Sequence, residues 1–154
     1  MAVEVTLKGE KEVLNNFKKE TKKILKDSKE GLIMVGLLIK ASSMRRTPID
    51  LGNLRASHYV VWDKGEDSDP MFVSTDSPMQ DRELVKDHQL MIQSGRGTVG
   101  KKGVQVGVSA NYAIYVHEDL EANHTVGEAK FFSKAIAEIT PQVLKTIRDK
   151  AKVL

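Results

Sequence analysis

A long stripe of apolar residues at helical spacing, ended by a Thr-Pro pair, constrains the fold of this chain more than any other feature. The stripe begins after Glu10, and lysines occupy the opposite face. Thr47-Pro48 ends the helical region, because proline lacks a backbone N–H and disfavours the α conformation at the preceding residue. The sequence therefore predicts a long N-terminal helix, or a helix pair, before the proline. The first apolar members of the stripe are Val13, Leu14, Phe17, Ile24 and Leu25.

The second half of this helical region has the sequence features of a separate helix. Asp27 and Glu30 have the spacing of a capping box, which indicates that a second helix begins directly after Asp27. Residues 31–44 are apolar on most faces and form the best candidate for a central core helix. Gly31 and Gly36 each weaken a helix by roughly 1 kcal/mol relative to alanine. We therefore expect an element packed closely against both glycines.

Three further segments have the pattern of strands. Residues 3–7 alternate between apolar and polar side chains, which is the period of a half-buried strand. A second strand is predicted at about residues 56–62, directly after a turn supplied by Gly52. Valines alternate again over residues 104–108, and residues 112–116 form another short β or irregular segment.

The chain ends in an amphipathic helix, predicted at about residues 127–152. Pro141 lies inside it and should kink or split it. Helices and a few strands in this order predict an α+β fold. We expect a small antiparallel sheet with the long N-terminal helix, or helix pair, and the C-terminal helix packed on one face.

Residues 63–102 differ in composition from the rest of the chain. They contain two prolines, several glycines, many acidic residues and little periodicity. A connection of this length is uncommon inside a compact domain. We therefore predict a single α+β domain over residues 1–154, in which 63–102 is an inserted flexible arm or hairpin with a helical turn near residues 82–91.

Composition excludes several classes of protein. The chain has 154 residues, no cysteine, and a net charge of +3 from 24 basic and 21 acidic residues. Disulfides and thiolate metal sites are therefore excluded. A dedicated nucleic-acid binder normally carries a stronger basic imbalance. The longest apolar run is far shorter than the roughly 20 residues that span a bilayer, so we expect a soluble protein without membrane contact.

Two stretches have a recognisable order along the chain. The first is TPIDLGNLRAS at residues 47–57, and the second is YAIYVHEDLEANHTVGEAKFF at residues 112–132. Together they resemble the head–tail joining, neck or tail-completion proteins of long-tailed bacteriophages. The shared pattern is a long helix, a proline, "Gly-x-Leu-Arg-x-Ser", a valine-rich strand, "Tyr-Ala-x-Tyr-Val-His-Glu", and "Gly-x-Ala-Lys-Phe-Phe/Leu" opening the last helix.

This resemblance implies a virion structural protein with no enzymatic activity and no cofactor. It implies a homo-oligomeric ring, with a hexamer favoured over a dodecamer, that contacts the adjacent neck or adaptor protein and the tail tube. Viral DNA would pass through the lumen. The expected location is the neck or tail top of the virion, and the host cytoplasm during assembly.

Charged residues around the proline turn are the first candidates for a subunit or partner contact. Arg45, Arg46 and Arg55 cluster there, and we expect a salt-bridge network with Asp50 or Glu118. Ordinary surface charge is the alternative explanation.

A glycine-rich basic segment, GRGTVGKK at residues 95–102, is the second candidate. It matches most of a phosphate-binding P-loop, but Lys102 replaces the magnesium-binding hydroxyl residue, and a strand rather than a helix is predicted to follow. We therefore expect a mobile basic loop. Its charges, Arg96, Lys101 and Lys102, could contact an acidic partner or DNA phosphates, so a basic-loop DNA-binding module remains an alternative function.

Histidines provide the third candidate. His117, Glu121 and His124 would share one face if residues 117–124 were helical, as two imidazoles and a carboxylate could around a metal. A small metal-dependent hydrolase is therefore an alternative function. The resemblance instead implies that His117 and Glu118 belong to a structural elbow near a subunit contact, with no metal. His58 is expected to point outward from its strand.

Overall fold

The chain folds into a mixed α+β structure, described by a computed structural model for residues 10–50, 52–68 and 78–152. The α+β prediction is confirmed, whereas the strand expected at residues 3–7 lies outside the described residues. A 3₁₀ turn, Thr140–Gln142, separates the last two helices. The other elements are α1 (Glu10–Arg46), α2 (Asn53–Ala56), β1 (His58–Trp62), β2 (Gly65–Ser68), α3 (Pro78–Val99), β3 (Val104–Val108), α4 (Ala113–Glu118), α5 (Phe131–Ile139) and α6 (Val143–Ala151).

The N-terminal helical region is one continuous helix of 37 residues and not a pair. The Asp27–Glu30 pattern does not start a helix, because a capping residue must leave the helical conformation and these residues remain inside α1. The close packing expected at both glycines is confirmed. A Cβ atom on Gly31 would lie 2.8 Å from the Cα of Ile147 in α6, and one on Gly36 would lie 2.9 Å from Val104 Cγ1.

Helix α1 is exposed over residues 11–26 and is buried or partly buried over most of residues 27–46. Within the part of the chain that the structure describes, no helix is long and apolar enough to span a membrane.

The sheet is antiparallel and has the strand order β2-β1-β3. Helix α1 covers one face, where Val60 approaches Gly36. Helix α3 covers the other face, where Ile92 packs with Tyr59 and Val61. The expectation of helices on one face only was therefore wrong. Strand β1 is covered on both sides, which explains why four consecutive residues of it are buried.

Within residues 63–102 the structure describes 63–68 and 78–102, and these are largely regular, so the expected flexible arm was wrong there, whereas residues 69–77 lie outside the described residues. Strand β2 pairs with β1, and α3 is a helix of 22 residues. His88, Ile92 and Gly95 face the sheet at spacings of four and three residues. Among the described side chains of α3, Ile92 is the large aliphatic residue that is buried, and its buried neighbours on this face are a histidine and a glycine, so the helical period was weak in the sequence.

The C-terminal part also differs from the expectation at one point. Residues 113–118 form the short helix α4 and not a β segment. The predicted split at Pro141 is confirmed, because the 3₁₀ turn interrupts the helical region there. The last helical region begins at Phe131, since Lys130 has a left-handed backbone with φ 58°.

Candidate functional site

The two sequence stretches that carry the resemblance meet at one place, which we call the elbow. Gly127 lies directly against Thr47 and Pro48, and its φ of 86° is in the left-handed region. The N–H of Glu128 donates to the Arg46 carbonyl at 2.8 Å. The N–H of Lys130 donates to the carbonyl of His117, also at 2.8 Å. Backbone contacts therefore fix the end of α1 to the segment that leads into α5.

Arg46 forms an ion-pair cluster at the elbow. Its guanidinium lies 2.6 Å from Glu128 and 3.0 Å from Glu138, and these hydrogen bonds raise the Arg46 pKa. Arg45 lies 3.8 Å from Glu138. The predicted network around the arginines therefore exists, but its acidic members are Glu128 and Glu138, whereas Asp50 or Glu118 was expected. Sequence reasoning missed both because no local pattern shows that α5 packs across the end of α1.

The acidic members of this cluster have lowered pKa values. A hydrogen bond from Lys134, followed by that from Arg46, lowers the pKa of Glu128. A hydrogen bond from Ser42, followed by that from Arg46, lowers the pKa of Glu138. Both carboxylates are therefore ionised at neutral pH and hold α5 against α1.

Asp50 and Arg55 are not members of this cluster. Asp50 is exposed, and its charge adds to burial in raising the pKa of Tyr112. Arg55 Nη2 lies 3.5 Å from the carbonyl oxygen of Thr47, a long contact from side chain to backbone. The structure thus brings together two of the four residues predicted at this turn.

His117 and Glu118 form a second polar group on α4. His117 Nδ1 lies 2.8 Å from Glu118 Oε1, and Nε2 accepts from the N–H of Ser133 at 3.3 Å. This arrangement places the proton of the neutral ring on Nδ1. Lys130 also pairs with Glu118, and it is the main cause of the lowered Glu118 pKa, with His117 second. Both residues lie at the elbow, and their expected place near a subunit contact stays a prediction.

The metal site considered from the sequence is not formed. Helix α4 ends at Glu118, so His117, Glu121 and His124 do not share a helical face. Among the described residues, no group of three or more acidic or histidine side chains could hold a metal ion. His124 instead lines a pocket of about 250 Å³ beside Pro48, Asn53 and Tyr112.

His58 is fully buried at the centre of the elbow, which corrects the expectation that it points outward. Nε2 lies 2.8 Å from Ser43 Oγ, and Nδ1 lies 3.1 Å from the Leu54 carbonyl oxygen, so Nδ1 carries the proton. Burial lowers the pKa of His58 to about 4. Phe131 packs between His58 and His117, with ring centroids 5.9 and 5.1 Å away. The sequence pattern missed this because β1 is covered on both faces.

The basic residues at 96–102 lie elsewhere. Arg96 belongs to the last turn of α3 and pairs with Glu66 at 2.5 Å. This ion pair within the subunit partly neutralises the charge of Arg96. Lys101 and Lys102 are exposed in the turn between α3 and β3. Residues 95–99 of the segment belong to α3 and residues 100–102 form the turn before β3, so the expected mobile loop was wrong for residues 95–99. The order of helix and then strand is the reverse of the order that a P-loop needs.

An apolar groove opens beside the elbow, and we call it the α4 groove. It has a volume of about 310 Å³ and lies between β3, α4 and the start of α5. His117, Glu118 and Ser133 contribute its polar groups. Its apolar lining includes Val106, Val108, Ala113, Ile114, Phe131 and Phe132.

The second uncovered apolar surface is the N-terminal part of α1. Every residue from 11 to 26, a segment that we call the α1 overhang, is exposed. Phe17 is 70% exposed although it belongs to the apolar stripe. The sequence indicated this uncovered surface, because the apolar stripe starts well before the glycines that mark the packed part of the helix.

No known family model, curated protein sequence or solved structure matches this chain.

Proposed function

We propose that the protein is a structural component of a tailed-phage virion, forming a ring at the head–tail interface that joins the DNA-filled head to the tail. The ordered motifs at residues 47–57 and 112–132 support this proposal. The observation that carries it is the presence of two different apolar surfaces on one subunit, the α1 overhang and the α4 groove with its exposed rim residue Ile114. Apolar patches of this kind mark sites of protein–protein contact.

Two different surfaces favour a head-to-tail contact over a symmetric pair. In such a contact, surface one of each copy binds surface two of the next, and the assembly becomes a ring if the rotation closes. We propose a hexameric ring, with a dodecamer as the alternative, as the phage resemblance implies. The passing DNA would occupy the lumen.

The proposed role is mechanical and not enzymatic. The elbow joins the end of α1 to the segment before α5 through two backbone hydrogen bonds and the Arg46 ion pairs. Such a rigid junction would hold the two apolar surfaces at a fixed angle within each subunit. One rim of the ring would contact the portal-side adaptor, and the other the tail tube. The protein would be assembled in the host cytoplasm and remain in the neck or tail top of the virion.

The experiment is inactivation of the gene in a phage that encodes it, followed by electron microscopy of the lysate. We expect DNA-filled heads and separate tails, and restoration of joined particles when the wild-type protein is supplied from a plasmid. Cryo-electron microscopy of wild-type virions should then locate this chain as a ring between portal and tail tube. Infectious virions of normal yield that lack the chain would refute the proposal.

A further inference from the structure

The α1 overhang continues a surface that is already used for packing. Helical residues seven positions apart lie on nearly the same side, so Phe17, Ile24 and Gly31 share a face of α1. At Gly31 this face is covered by Ile147 of α6. At Phe17 and Ile24 it is uncovered. This face of α1 is therefore continuous, but the subunit's own α6 covers only its C-terminal part.

The overhang gains little from its own subunit. Helices of this length in water are held mainly by tertiary packing of their apolar face. Phe17, Leu25 and Val13 are each more than half exposed. A groove that accepts this face would supply the missing packing, in the way that amphipathic helices dock into apolar grooves.

The α4 groove has the complementary chemistry. It offers valines from β3, Ile114 from α4 and Phe132 from α5, and Ile114 is 63% exposed. The charges around it are, in sum, opposite to those of the overhang. Residues 11–26 contain six lysines and two glutamates, whereas residues 113–134, which include α4 and the start of α5, contain four acidic residues and two lysines. Glu118 is already paired with Lys130, and Asp119 and Glu121 are exposed.

A subunit cannot fill its own groove. Val106, which lines the groove, packs against Gly36 of α1, and Phe17 lies 19 residues before Gly36 in the same helix. At 1.5 Å per residue this separation is roughly 30 Å. The occupant must therefore come from another molecule.

We propose that the α1 overhang of one copy docks into the α4 groove of the next copy, so that successive subunits associate head to tail. This inference rests on the proposed ring-forming function and specifies which surfaces form its subunit contact. The apolar stripe would face the groove, and Lys18, which borders the stripe beside Leu14, would face Glu121 in the exposed loop that follows α4.

The natural absence of cysteine allows a direct test by cross-linking. Phe17→Cys and Ile114→Cys variants of the full chain are purified separately, one with a larger tag, and mixed with a short bis-maleimide at high protein concentration. We expect a mixed dimer containing one copy of each variant. Leu90→Cys on α3, which is 52% exposed, replaces Ile114→Cys in the control mixture. Circular dichroism checks that all three variants fold.

Charge exchange provides the second measurement. Lys18→Glu in the Phe17→Cys chain should lower the yield of mixed dimer several-fold. Glu121→Lys in the Ile114→Cys chain should restore it, because the opposite charges are then exchanged across the contact. The hydrogen bond that Glu121 makes to Asp119 comes from its backbone N–H, so this change of side chain spares the fold.

Two outcomes would overturn the inference. Cross-linking of Phe17→Cys to itself in preference to Ile114→Cys would indicate a symmetric helix pair. A mixed-dimer yield equal to that of the Leu90→Cys control would show that the groove takes a different occupant. The proposed function is tested separately, by electron microscopy of virions. If mixed dimers form but virions lack this protein, the neck assignment is refuted and the docking inference is not. If virions contain a ring of this protein but the cross-link does not form, the docking inference is refuted and the neck assignment is not.

Discussion

Gly127 lies so close to Pro48 that a Cβ atom on the glycine would be 2.6 Å from the Cα of the proline. The contact joins the segment before α5 to the end of α1, and the hydrogen bond from Glu128 to the Arg46 carbonyl lies next to it. Glycine is required here for two reasons, since its φ of 86° is also strained for any residue with a side chain.

We predict that Gly127→Ala lowers the free energy of unfolding by about 3 kcal/mol, because it combines backbone strain with a steric clash. Gly97→Ala is the matched control. Gly97 lies within α3, and a methyl group added there would meet no other described part of the chain within 4 Å, so alanine should be neutral or stabilise by about 0.5–1 kcal/mol. Urea denaturation of both variants measures the difference. Equal stability of the two variants would show that the elbow contact is not formed.

The stability of the protein should fall as the pH is lowered from 6.5 to 4.5. The pKa of His58 is about 4 in the folded state and 6.5 in its ordinary state, so the unfolded chain binds more protons in this range. The expected loss is roughly 2–3 kcal/mol. Carboxylates with lowered pKa values, such as Glu118 and Glu128, lose their contribution only as the pH falls through and below their ordinary value of 4.5.

His58→Gln should remove most of this pH dependence, whatever its effect at pH 7. Urea denaturation at several pH values compares the slopes of the two proteins. Nuclear magnetic resonance of the wild-type protein provides an independent check, because the His58 ring should remain neutral at pH 5. A His58 that titrates near pH 6.5 would contradict its buried position.

The neighbouring phenylalanines at the start of α5 should behave differently. Phe131 is 1% exposed and packs between two histidine rings, so Phe131→Ala should cost about 3–5 kcal/mol of stability. Phe132 is half-buried and lines the α4 groove, so Phe132→Ala should cost less and should instead lower the cross-linking yield. Thermal unfolding measures both variants. A larger stability loss at Phe132 would reverse the assignment of core and groove.

Helix α3 should contribute to the stability of the subunit, contrary to the expectation that this region is an independent arm. Ile92 is buried against Tyr59 and Val61, so Ile92→Ala should cost about 2–5 kcal/mol. Met91 is 43% exposed, and Met91→Ala should change stability by less than about 0.5 kcal/mol. Urea denaturation of the pair decides whether α3 is packed. No difference between them would support a detached arm.

The candidate contact residues show how far sequence reasoning could reach. The sequence predicted an ion-pair network at Arg46 and a structural elbow at His117 and Glu118, and all three residues lie at the elbow. Their role in a subunit contact stays a prediction. Their partners were not predictable. Helix α5 crosses the end of α1 and brings these partners there, namely Glu128, Glu138 and Lys130. No local sequence pattern predicts that crossing.

The sequence alone determined the elements with strong local causes. The helical period fixed α1, the Thr47-Pro48 pair fixed its end, alternating valines fixed β3, and Pro141 fixed the break before α6. Only the tertiary structure decided whether α1 was one helix or two, that both faces of β1 are covered, and that His58 is buried. The physical reason is that local conformation depends on neighbouring residues, whereas burial and ion pairing depend on which distant segments meet.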